Sequence, residues 1–135
     1  MRAPLMLLMV LVLPAVAAAA TLADVQRQVA GRDGRTWVLT AVENQKGLVG
    51  GCLAGESYAF SAAGTVKKTT CESGRLVTRD LPWRVEGAPP QVSILVGDRR
   101  YDLAFKGQGS KAQMRWRRLL SKEGGTNDLI LRPGR

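Results

Sequence analysis

From residue 35 onward, apolar and polar positions alternate with a period of two, and glycine-containing turn signals interrupt the alternation about every ten residues. In 91–96, Val92, Ile94 and Val96 share a face, and in 99–105 Tyr101, Leu103 and Phe105 do the same. In 111–120, Ala112, Met114 and Trp116 fall on one side, with Lys111, Gln113, Arg115 and Arg117 on the other. The pattern predicts strands at 35–43, 56–61, 65–72, 75–86, 91–96, 99–105, 111–120 and 127–132. Ser73-Gly74 predicts a tight hairpin, and the glycine-rich 48–55 around Cys52 reads as an irregular loop. Within 75–86, Val77, Leu81, Trp83 and Val85 keep even spacing. Pro82 has no N–H for a ladder, which predicts an edge, bend or bulge there. Only 21–30 has helical spacing, with Leu22, Val25 and Val29 on one face, Thr21 as cap and Asp24 three residues later. Gly31 and Gly34 end it. The expected class is all-β, an antiparallel sheet closed as a barrel or folded as a sandwich after one short helix.

Before the helix, Arg2 leads into the apolar run 5–13, then Pro14 and the small-residue tract 15–20. A positive start, a short apolar core and an A-x-A-type end predict a secretory signal peptide at 1–20, cleaved near Ala20. The strongly apolar part is too short for a membrane span and Pro14 interrupts it, so no span is expected after removal. No cysteine stands beside the cut to carry lipid. The expected location is periplasmic or secreted, and 21–135 is long enough for one domain with a real core and too short for two.

Export changes the reading of Cys52 and Cys71, the two cysteines of the chain. An oxidising compartment predicts a bridge between them, contributing about 3 kcal/mol in the chain-entropy model. A redox pair would need C-x-x-C, and a zinc shell lacks its histidines, because the chain has none. No metal and no cofactor are expected. Without imidazole there is no Ser-His pair, and nothing in the spacing converges Glu56, Asp80 and Asp102. Asp102 is expected at the surface beside Arg99 or Arg100, and no enzyme is predicted.

The chain carries a formal net charge of +9. The cations are scattered, with local pairs at Lys67-Lys68, Arg99-Arg100 and Arg117-Arg118. Scattered charge predicts solubility and attraction to anionic surfaces, with an acidic protein or the cell envelope as candidate partners. Nucleic-acid binding is not expected, since on a strand Trp116 and Arg117 point to opposite faces and no stacking platform forms.

The opening helix, Gly34-Arg35-Thr36-Trp37-Val38-Leu39 with Glu43, Tyr58-Ala59-Phe60, Gly64-Thr65-Val66, Trp83-Arg84-Val85 and Leu129-Ile130-Leu131-Arg132 together resemble the bacterial lipocalin-like domains, small exported barrels of calycin type. The resemblance implies an eight-stranded antiparallel up-and-down barrel over 21–135, with Trp37 packing at its closed end and the helix capping that end. Barrels of this size are filled by side chains or hold one small ligand. The order Trp37, Cys52, Cys71, Trp83 also resembles the exported inhibitors of bacterial metalloproteases. In that family a segment before the barrel, here 21–31, enters the protease cleft.

The candidate ligand-binding residues are Tyr58, Phe60, Trp83, Tyr101, Phe105 and Trp116, all on predicted inward faces, where they either line a cavity or pack a core. The expected function is a monomeric exported barrel binding a small apolar or amphipathic molecule. The alternatives are a protease inhibitor and a structural envelope protein with a filled barrel.

Overall fold

The computed structural model describes residues 21–43, 51–120 and 125–134. The expected leader, the polar stretch 44–47, the start of the 48–55 loop and the 121–124 turn lie outside the described residues. Helix α1 (Leu22–Ala30) precedes β1 (Arg35–Glu43), β2 (Ser57–Phe60), β3 (Thr65–Glu72), β4 (Arg75–Ala88), β5 (Gln91–Val96), β6 (Arg99–Lys106), β7 (Gln113–Leu120) and β8 (Gly125–Pro133). Each strand pairs antiparallel with its sequence neighbours, and β1 pairs with β8, closing an up-and-down barrel.

Helix α1 forms where the spacing places it. Thr21 Oγ1 accepts from the Asp24 N–H at 3.2 Å, while Asp24 Oδ2 accepts from the Thr21 N–H at 3.0 Å, a reciprocal capping box. Val25, Val29 and Ala30 are buried against the barrel end where β1 begins. Trp37 is fully buried there, its indole N–H donating to the Val29 carbonyl at 2.7 Å and its ring 6.2 Å from Phe105. This end is closed.

Three local features differ from the simple alternation. Pro82 stands at a local edge, as expected, because residues 75–82 of β4 register with β3 alone. It is the last residue of β4 registered with β3, and Trp83 is the first registered with β5. The ladder changes partner at the residue without an N–H, and the Pro82 carbonyl accepts from the Gly97 N–H at 2.8 Å. A bulge does occur at Thr40, between the pairs Leu39–Leu131 and Ala41–Ile130. It reverses the facing of the rest of β1, so Glu43 reaches the outer wall instead of the interior. Finally, β7 starts at Gln113, because Gly109–Lys111 forms a 3-10 turn that takes Lys111 off the strand face.

The Ser73-Gly74 hairpin has φ of 51° and 77° at its two central residues, the pattern of a type I′ turn matched to strand twist. Cys52 and Cys71 form a disulfide that ties the 3-10 segment Gly51–Gly55 to the outside of β3. Every aromatic residue of the chain packs in the core.

Candidate ligand-binding site

Five aromatic rings form a connected column inside the barrel. Near the closed end, Trp83 donates its indole N–H to the Ser61 carbonyl at 2.9 Å, and its ring meets Phe60 edge-on at 5.0 Å. Phe60 lies 6.0 Å from Trp116, and Trp116 carries Tyr58 edge-on at 4.6 Å and Tyr101 stacked at 5.2 Å. Offset and edge contacts of this kind add to the area these rings bury. Of the six residues nominated from sequence, Phe60, Trp83 and Trp116 therefore fill the middle of the barrel, and Phe105 packs beside Trp37 at the closed end. Tyr58 and Tyr101 are placed differently.

These two tyrosines floor a cavity of about 320 Å³ at the end remote from α1, with Leu129 beside them. Glu56, Lys68, Thr70, Glu72, Arg99 and Arg118 continue its wall toward solvent. The wall follows from alternation, since Lys68 and Thr70 continue the inward face of Val66, Arg99 that of Tyr101, and Arg118 that of Trp116. Sequence reading treated these cations as scattered surface charge. The signal that finds them is an inward parity carried past the last apolar residue of a strand.

The local electrostatics are uneven. Burial is the main cause pushing the Tyr58 hydroxyl above its ordinary range, with Tyr101 and the Glu56 carboxylate adding to it. Tyr58 therefore stays a neutral donor. Glu56 is anchored, its Oε1 accepting from the Cys71 N–H at 3.0 Å and its carbonyl from the Leu39 N–H at 3.0 Å. Glu72 is engaged by the Arg79 guanidinium, whose hydrogen bond holds the carboxyl below its usual range. The Trp116 indole N–H is the buried side-chain donor left without a hydrogen-bond partner among the described residues.

Other concavities lie on the outer wall. One, about 650 Å³, is an open groove over β1 to β4 with Asp33, Arg35, Lys67 and Asp80 along it. The carboxylates considered for acid–base work do not meet. Glu56 is at the mouth, Asp80 on this groove and Asp102 on the outside of β6. Asp102 stands at the surface as expected, on the same groove as Arg100, and lies across the ladder from Arg117. No cluster of three metal-ligating side chains occurs among the described residues.

On β7, Trp116 faces inward and is fully buried, while Arg115 and Arg117 face outward onto Asp128. Arg117 grips Asp128 with two hydrogen bonds of 2.9 and 3.0 Å, and Arg115 adds one of 3.0 Å. Asp128 is 1% exposed because these guanidiniums cover it on the outer wall. The basic strand face is thus largely neutralised from within. Compared with known proteins, the chain matches no family model, no curated protein and no solved structure.

Proposed function

We propose that this protein is an exported, non-enzymatic barrel of lipocalin-like build that holds a small amphipathic molecule in its mouth. The observation that carries the reading is the cavity floored by Tyr58 and Tyr101 above a packed aromatic column. A ligand of this barrel sits on the column, with its apolar body against the tyrosines and its polar end at the charged rim, and does not thread between Phe60 and Trp83. A concave, partly apolar site with a few polar groups at its rim is the usual form of a small-molecule site. Export is supported by the Cys52–Cys71 bridge, which fits an oxidising compartment. Sequencing the N-terminus of protein from the exported fraction is expected to begin at Thr21.

The test uses the neutral fluorescent probe N-phenyl-naphthylamine with the wild type and Thr70→Trp. Thr70 is half-buried on the cavity wall, so the indole fills the mouth without entering the core. Saturable one-to-one binding in the wild type, lost in a folded Thr70→Trp, is the expected result. Absence of saturable binding sinks the reading. It would leave the structural envelope protein, which the packed interior favours. An inhibitor working through 21–31 is disfavoured by geometry, since that segment is a helix whose Val29 is fully buried against the barrel.

A further inference from the structure

We propose that the mouth selects a small organic anion, with Lys68, Arg99 and Arg118 receiving a carboxylate, sulfonate or phosphate group while Tyr58 and Tyr101 carry its apolar body. The inference rests on the binding reading above and narrows its ligand. The three consecutive cation pairs of the chain are split by the barrel wall. Of their outward members, Arg100 bonds Glu86 at 3.2 Å and Arg117 bonds Asp128 at 2.9 Å, while Lys67 stands across the ladder from Asp80 without an ion pair to it among the described residues. Their inward members, Lys68, Arg99 and Arg118, all line the one cavity. None of these three has a carboxylate within 4.0 Å among the described residues.

The two carboxylates on the cavity wall are already committed, Glu56 to the Cys71 N–H and Glu72 to Arg79. Burial, and then Arg99, lower the Lys68 ammonium from its ordinary pKa, against the opposing pull of Glu56 and Glu72. A half-buried ammonium that lacks a full counterion gains from an incoming anion on both counts. Three cations from separate strands that converge on one cavity without an ion pair among the described residues, where the cavity's own carboxylates are engaged elsewhere, are what an anion site requires.

The experiment compares anilinonaphthalene sulfonate with N-phenyl-naphthylamine, which has the same aromatic body without the sulfonate. The wild type is expected to bind the sulfonate about tenfold more tightly than the neutral probe, the size of one charge-assisted contact. Lys68→Met and Arg99→Met should each bring the two affinities together. Lys67→Met, which removes the same charge from the outer wall, should leave the ratio unchanged. Circular dichroism confirms that each variant is folded, and Arg118→Gln at the exposed rim substitutes for any that is not.

Equal affinities in the wild type, or a loss of preference in Lys67→Met as large as in Lys68→Met, would overturn the anion proposal. With the neutral probe still bound and blocked by Thr70→Trp, the binding reading would survive that result. If neither probe binds, the binding reading fails first. Flotation with phosphatidylglycerol vesicles without binding of the soluble sulfonate would assign the three cations to a lipid surface and also overturn the proposal.

Discussion

The three tryptophans occupy similar burial but unequal chemistry. Trp37 and Trp83 each satisfy a backbone carbonyl, of Val29 and Ser61, whereas the Trp116 N–H has no such partner among the described residues. Replacing Trp37 by Phe loses a buried hydrogen bond and strands the Val29 carbonyl. Replacing Trp116 by Phe removes a donor that was unsatisfied. In urea unfolding, Trp37→Phe is therefore expected to cost about 1–2 kcal/mol more than Trp116→Phe, and equal costs would contradict this account. Tyr58 provides a second test. Its hydroxyl is held above the ordinary value of 10.0, mainly by burial. As pH rises through that value the unfolded chain ionises first, so stability falls, and the ring-carbon resonance of Tyr58 should not titrate in the folded protein there. That these aromatics face inward was legible from parity alone. Which of them meet a ligand was not, because parity does not say how far along the axis the packing fills.

At the scale of elements, α1 is a structural lid. Thr21→Ala removes one half of the capping box and is expected to cost about 1 kcal/mol by chemical denaturation, without changing probe affinity at the opposite end. The bounds of β1, β3 and β5 were legible to the residue, since glycine, proline or polar breaks flank each. The missing N–H of Pro82 marked a break in the ladder, whereas the Thr40 bulge depends on which strand lies alongside, and no local pattern encodes that. The bulge has a consequence across elements, for it places Glu43 outside with Arg115 and Asp128, joining β1, β7 and β8. Arg117's hydrogen bonds, followed by the charges of Arg117 and Arg115, hold the Asp128 carboxyl below its ordinary value of 3.8. A depressed carboxyl contributes stability that is present above the unfolded value and lost as pH falls through the folded one. Acid unfolding should show this loss below about pH 4 in the wild type and a weaker pH dependence there in Asp128→Asn. Identical acid profiles would remove Asp128 from the account.

Over the whole molecule, closure of the sheet sorts charge by facing. The outer wall carries Lys67, Asp80, Arg84, Glu86, Arg100 and Asp102, unlike the apolar band a lipid-facing barrel presents. Among the described residues no helix is long and apolar enough to cross a membrane. The closed end is sealed by α1 and Trp37, and the disulfide fastens Gly51–Gly55 outside β3, leaving the mouth as the place where interior side chains reach solvent. The strands, the helix and the bridge were legible in the alternation, the capping residues and the cysteines, whereas the alternation left barrel and sandwich open. The mouth was not, since its cations belong to three strands far apart in the chain, brought together only by closure. The chain has two tyrosines, Tyr58 and Tyr101, and both lie on the floor of this cavity. Tyrosine ring-carbon NMR during titration with anilinonaphthalene sulfonate therefore reads the proposed site directly, with the Trp37 indole N–H as a reporter of the closed end. Saturable shifts of both tyrosines with an unmoved Trp37 are the predicted result. Unmoved tyrosines, or a Trp37 signal that shifts with them, would contradict a ligand seated at the mouth above a packed core.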